Sequence, residues 1–327
     1  MAGVSNYPGG FSGGVTIRGV PIDVPHPGEV FFVNSTTVLP KGGVGSSDGN
    51  PGTYQKPFAT VDFAIGKCTA DRGDVIYVMP GHVEEITGAG TVDCDVAGVS
   101  IIGLGRGSKQ CRFDFTATAS TVLIDADNVS IINMNFHANV PAVVIGLSVV
   151  TLATDSLVQD CTFTVETTTT DEFVIGINYA AGCNNFIVDN CIIDQGLGGA
   201  ATGIKLVSVT AGGNIRNCRI VGDYTFACIG SSGTTSTEIY IEDNVLTNGG
   251  SANVGIIPVI SMAASGSGLV RGNTCLCNVA TGAAQMVSTG MFFSDNWHGE
   301  DAGSAATCGM SRGIGNNIVS IVPFADG

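Results

Sequence analysis

A right-handed, single-stranded parallel β-helix is the fold this 327-residue sequence predicts, and three observations predict it. Composition favours strands: Val, Ile, Thr, Gly and Asn fill the chain, 47 residues are glycine and only 13% are charged, so the usual helix formers are scarce. A short motif recurs every 21 to 30 residues over much of the chain, the signature of stacked structural repeats. Its third place holds only Asn, Asp or Gly, the residue types that enter the left-handed backbone region most readily.

The elements follow in chain order. Residues 1–35 carry Gly9, Gly10, Gly13 and Gly14, then Pro21, Pro25 and Pro27, with almost no apolar periodicity; they predict an extended attachment arm that orders on a partner. Residues 36–327 are assigned to the β-helix. Within them, 41–57 (KGGVGSSDGNPGTYQKP) is a turn-rich loop. Behind a candidate N-cap at Thr60, the apolar Val61, Ala64, Ile65 and Cys68 recur at helical spacing, which predicts one short amphipathic helix at about 60–69. A stack of coils ends in an open apolar edge that must be covered, and this helix is placed to cap it. The run Val75-Ile76-Tyr77-Val78-Met79 then reads as a strand closed by the turn Pro80-Gly81.

The repeat comes next. Its copies are Ile131-Ile132-Asn133-Met134-Asn135-Phe136, Val158-Gln159-Asp160-Cys161-Thr162-Phe163, Val188-Asp189-Asn190-Cys191-Ile192-Ile193 and Ile215-Arg216-Asn217-Cys218-Arg219-Ile220. Four more begin at Ile241, Val270, Phe293 and Ile314. A left-handed residue at the third place makes a sharp bend and resets the strand alternation, so the first, fourth and sixth places face one interior. Two short strands meeting at such a bend describe one coil; about ten coils stacked about 4.8 Å apart make a rod on the order of 50 Å long. The fourth place becomes a ladder in which Cys161, Cys191 and Cys218 are continued by Asn244, Asn273, Asn296 and Asn317. The 11 cysteines lack paired CxxC units and read as reduced, buried, small apolar residues.

Charge excludes some functions. With 13 basic and 28 acidic residues, a formal net charge of −15 and no Lys/Arg cluster, the chain has no footprint for nucleic-acid phosphates. No run reaches the roughly 18 apolar residues of a membrane span, and Met1-Ala2-Gly3-Val4-Ser5 lacks the basic, apolar start of a secretory leader. The expectation is a protein made in a cytoplasm that leaves it, if at all, by lysis.

The segments GTYQKPFATVDFAIGKC and GDVIYVMPGHVEE resemble the opening of pectate-lyase-like β-helix proteins. More narrowly, GGVTIRGVPI and HPGEVFFVN before that opening, with DVAGVSIIGLGRGS at 95–108, resemble phage-encoded β-helix proteins classed as virion structural proteins. The likeness covers about the first 130 residues. It implies synthesis in a bacterial host cytoplasm, a place in the virion, and association as a trimer.

Polysaccharide-cleaving enzymes of this fold use clustered carboxylates, as acid and base or as Ca²⁺ ligands beside an arginine. The densest acidic sites here are Asp125 with Asp127, Asp171 with Glu172, and Asp189 with Asp194. Asp160, Asp243 and Asp295 recur at the bend, where Asp tolerates the left-handed conformation and bonds nearby N–H groups. Asp189, Arg216 and Glu242 take outward second places of successive coils; such a column is either a site or a solvated ladder of opposite charges. The paired Asp-Asp, Gly-His-Gly and Arg-x-Lys signatures of the polygalacturonase-like branch are absent, as is the Arg-x-Pro-x-x-Arg pattern of the lyases.

His26, His82, His137 and His298 are nowhere within motif spacing of one another, which supports neither a metal site nor a Ser-His-Asp arrangement. His82 is expected at the surface or in a turn, Gly103 to Gly107 in a β-turn between coils, and Thr167 to Thr170 in an exposed loop. A single tryptophan, Trp297, is too few for an aromatic sugar platform. No catalytic, cofactor-binding or metal residue is therefore assigned, and no cofactor, nucleic-acid or membrane partner.

The expected function is that of a virion structural protein, a capsid decoration (cement) protein or short spike, whose arm binds the major capsid protein or another virion protein. Few charges on a single-layer rod leave apolar surface that self-association would cover. The alternative is a receptor-binding tailspike or a polysaccharide-degrading enzyme on the same fold; a third possibility is a non-viral surface adhesin.

Overall fold

The computed structural model describes residues 15–17, 20–22, 28–35, 43–167, 170–207, 210–232, 236–249, 257–262, 266–277, 286–287, 290–300 and 309–313. Three parallel sheets run along one axis, and a full coil gives one strand to each. Leu157–Gln159, Thr162–Val165 and Phe173–Tyr179 make one coil, with Ile187–Asp189, Ile192–Asp194 and Thr202–Val207 stacked next to it. The first sheet runs from Val30–Val33 to Met291–Glu300, the second from Val83–Ile86 to that same long strand, and the third from Ala89–Cys94 to Met286–Val287. Gly309–Gly313 pairs antiparallel with Met291–Glu300.

The predicted bends are where the motif placed them. Asn133, Asp160, Asn190, Asn217, Asp243, Gly272 and Asp295 all have φ between +52° and +68°. Asn316 lies outside the described residues. Resetting the alternation there turns the first, fourth and sixth places inward: Val158, Cys161 and Phe163, or Val188, Cys191 and Ile193, have no exposed surface. They join one continuous core with Phe113, Phe115 and Phe136, and Phe136 stacks on Phe163 with centroids 4.5 Å apart.

A second left-handed column escaped the sequence reading. Asn128, Asp155, Asn185, Gly212 and Glu238 have φ from +55° to +68°, each five residues before a bend. They turn the chain from the third sheet into the first, and each donates its N–H to the neighbouring coil, as Asn128 does to the Thr154 carbonyl at 2.9 Å and Asp155 to that of Asn184 at 2.9 Å.

The capping helix is Val61–Ile65, shorter than expected because Gly66 closes it. Thr60 Oγ1 accepts from the Phe63 N–H at 3.3 Å as N-cap, and Val61, Ala64 and Ile65 are buried against the first coils beside Phe31 and Phe58. Three expectations change. Val30–Val33 pairs in parallel with Val75–Val78, so the paired coils begin inside the stretch read as arm. His82 is fully buried rather than superficial, because Glu84 turns inward to accept the Val61 N–H at 2.9 Å and His82 Nε2 lies 3.1 Å from the same oxygen. The segment after Gly103 tightens into a 3₁₀ turn at Gly107–Lys109.

Candidate functional site

The outward column on the first sheet forms as its register requires. Gln159, Asp189, Arg216, Glu242 and Arg271 are successive partners. Arg216 Nη2 donates to Asp189 Oδ2 at 3.0 Å and Arg271 Nη2 to Glu242 Oε1 at 2.8 Å. Asn217, at the neighbouring bend, donates to the other Asp189 oxygen at 2.8 Å. Both carboxylates are thus held by guanidinium groups, which gives the column the form of a charge ladder. Arg271, the fourth charge, occupies the second place of its own motif and was legible by the same count that found the other three.

The remaining acidic pairs separate. Asp189 and Asp194 lie on different sheets either side of the Asn190 bend; Asp194 accepts from the Gly196 N–H at 3.2 Å and sits 3.9 Å from Arg219. Asp127 accepts from the Thr154 N–H at 2.7 Å and from its hydroxyl at 3.1 Å, which fixes the turn of the next coil. Asp171 and Glu172 differ from these, since both are more than nine-tenths buried at the turn into Phe173–Tyr179. Asp171 accepts from the Thr167 N–H at 3.1 Å and the Thr170 hydroxyl at 3.3 Å. Among the described residues Glu172 Oε2 has no hydrogen-bond partner. Burial, and then the Asp171 charge, push the Glu172 carboxyl above the ordinary carboxylate range, against a smaller opposing effect of the Ala142 N–H.

A histidine constellation that spacing could not reveal lies on the outer face of the second sheet. His137 Nδ1 is 3.0 Å from Thr164 Oγ1, and Nε2 is 3.0 Å from Glu166 Oε2; the Thr164 hydroxyl donates to Asn135 Oδ1 at 3.0 Å. These groups come from adjacent coils, 27 and 29 residues apart in sequence, and only the coil register brings them together. Asp114, the register partner of His137 in the coil before, keeps one buried oxygen without a partner among the described residues, beside Arg112. Both ring nitrogens of His137 are engaged, so the chain Asn135, Thr164, His137, Glu166 clamps two coils.

Among the described residues no group of three His, Cys, Asp or Glu side chains is arranged to hold a metal ion. Thr167 and Thr170 are exposed, as expected of the threonine tract. His26, Asn317 and Cys308 lie outside the described residues.

No protein family and no curated protein matches the sequence. Among solved structures, pectate lyase Pel9A aligns over 83% of this chain and 69% of its own length, with a TM-score of 0.54 at 15% identity. A rhamnogalacturonan lyase aligns over 82% of this chain and 87% of its own, with a TM-score of 0.44 at 14% identity. The first likeness is one of fold: this chain is a parallel β-helix of the pectate lyase kind.

Proposed function

We propose that the protein is a structural β-helix of a phage particle, a capsid decoration protein or short spike, attached by its N-terminal arm and associating side by side as a trimer. The observation that carries this reading is a set of exposed large apolar side chains on the outer faces of the second and first sheets. Ile192, Val245 and Trp297 stand at alternate places of one outward column at 41%, 43% and 55% exposure, with Arg219 and Thr274 between them, and Leu276 stands exposed in the next. Across the bend, Tyr240 and Phe292 are exposed on the first sheet. Exposed large apolar side chains gathered on one side of the rod favour an interaction surface, and packing of copies along the rod removes them from water. The particle and the number three come from the likeness of residues 13–34 and 95–108 to phage virion proteins. The mutual pairing of Asp189, Arg216, Glu242 and Arg271 fits a scaffold.

Sedimentation of the recombinant chain tests this: a trimer is expected, and Ile192→Asp with Val245→Asp should yield monomer with the β-sheet circular dichroism intact. Deleting residues 1–30 should abolish incorporation into particles without changing the oligomer. Copy number in purified particles separates a decoration protein, in hundreds of copies, from a tailspike, in tens.

The second reading is a polysaccharide-degrading or receptor-binding spike, favoured by the fold likeness to pectate lyase Pel9A. It requires release of reducing or unsaturated sugars from host capsule or lipopolysaccharide, lost when Asp189, Arg216 or Glu242 is replaced.

A further inference from the structure

Glu172 sits beneath a glycine loop of the next coil. Its carboxylate lies against Gly198, where any Cβ would overlap Oε2. The loop is firmly held at both ends: the Gln195 N–H donates to the Val221 carbonyl at 3.0 Å, and the Ala201 N–H to that of Val174 at 2.8 Å. Gln195 Oε1 also accepts from the Phe173 N–H at 2.9 Å. Between these ends the hold is slight. Gly196 donates to Asp194 Oδ1 and accepts from the Asp223 N–H, both at 3.2 Å. Leu197, Gly198 and Gly199 make no hydrogen bond among the described residues, and Leu197 is 60% exposed. Gly196 and Gly199, at φ +60° and +90°, supply the backbone freedom of a hinge.

With the loop shut, an ionised Glu172 would be a buried charge with one oxygen lacking any donor among the described residues, next to the Asp171 carboxylate. Uncompensated burial of that kind is among the costliest arrangements in a protein. Two events relieve it: uptake of a proton, or lifting of the loop to admit water. We infer that residues 196–199 form a proton-gated flap, shut over the neutral Glu172 carboxyl and lifted when that group ionises. The facing segments, 139–142 of the coil before and 195–200 of the coil after, carry no ionisable side chain. Asp171 beside Glu172, and Asp194 and Asp223 at the Gly196 anchor, are the charged groups around the flap. The raised proton affinity of Glu172 agrees in sign. An acid whose affinity for its proton is higher in the shut state favours that state at low pH, and the preference is lost as pH rises through the raised value.

Hydrogen exchange of the Gly196 amide, the one flap N–H that is hydrogen-bonded among the described residues, read at single-residue resolution and corrected with an unstructured reference peptide, tests the gate between about pH 4.5 and pH 8. In the wild type, protection should fall by up to about tenfold per pH unit once Glu172 ionises. Glu172→Gln should keep the loop protected throughout, and Asp171→Asn should move the loss to lower pH. Gly198→Ala, which cannot seat on the carboxyl, should leave the loop open at every pH. Flat wild-type protection across the range, a Glu172→Gln curve that follows the wild type, or a Gly198→Ala loop as protected as the wild type would each overturn the gate. Circular dichroism confirms that the variants compared are folded.

Discussion

Asn244 donates from Nδ2 to Oδ1 of Asn273 at 2.9 Å, one coil away inside the rod, and Asn273 does the same to Asn296 at 2.9 Å. The oxygens are shared with backbone, since the Asn244 N–H reaches Asn273 Oδ1 and the Asn273 N–H reaches Asn296 Oδ1, both at 3.0 Å. The second amide protons go to the carbonyls of Ile215 and Ile241. The ladder is a fully satisfied polar network in an apolar interior, the condition under which such networks stabilise. Removing one member strands its neighbours. Asn273→Ala should lower unfolding free energy in urea by about 2–4 kcal/mol, more than its lost volume explains, and Asn273→Asp by more, since it buries a charge.

The bends predict a different contrast. Asn190 and Asn217 hold φ of +52° and +56°, so Val at either position should destabilise by roughly 1–2 kcal/mol while Gly is nearly neutral. Equal tolerance of Val and Gly would contradict the register. Glu238, at φ +56° in the second column, has neither glycine's freedom nor the local hydrogen bonding of Asn or Asp. Glu238→Asn should therefore raise the midpoint of unfolding, by the order of 0.5–1 kcal/mol.

Why one left-handed column was legible and the other was not follows from their surroundings. Asn133 and Asn190 stand between apolar places whose alternation they interrupt, so periodicity exposes them. Asn128 and Asn185 stand in polar corners where no alternation exists to be broken. The spacing of five was nevertheless present. The His137 clamp is a further step removed, because Thr164 and Glu166 reach His137 only through the pairing of Asn135 with Thr162. Fixing coil lengths exactly enough to know that pairing requires the loops, and it is loop length that makes the coil repeat vary between 21 and 30 residues. Arg271 was available, and Glu172 was found as half of a pair; what set it apart, the Gly198 roof, depends on close approach that no sequence spacing encodes.

The interior thiols give the third prediction. The nine cysteines whose side chains are described are free, and all but Cys68 are buried. Burial pushes the Cys183 thiol up to about 11 and the Cys191 thiol well above its ordinary value, which withholds the reactive thiolate. Cys68, only partly buried, is itself pushed up to about 12 by burial and the nearby Asp74 charge. Peptide mapping after maleimide treatment should find Cys161, Cys191 and Cys218 unmodified in the native protein and labelled after denaturation, with Cys68 the first of the described thiols to react. Rapid native labelling of the three would reverse the inner and outer faces.

The Asp189–Arg216 pair separates a scaffold from a catalytic column. The Arg216 side chain is 43% exposed and that of Asp189 16%, and Asn217 remains to satisfy Asp189 when the arginine is removed. Solvent-accessible ion pairs of this kind contribute about 0.2–1 kcal/mol. A double-mutant cycle of Asp189→Asn and Arg216→Gln should give a coupling within that range, diminishing as salt screens the pair. The neighbouring Glu242–Arg271 pair should couple to it only weakly, because the two salt bridges share no residue although Arg216 and Glu242 are register partners. A catalytic column would behave otherwise: its variants would leave the urea midpoint nearly unchanged and abolish turnover of a polysaccharide. Small, salt-sensitive coupling together with unaltered particle assembly is the outcome expected of the ladder.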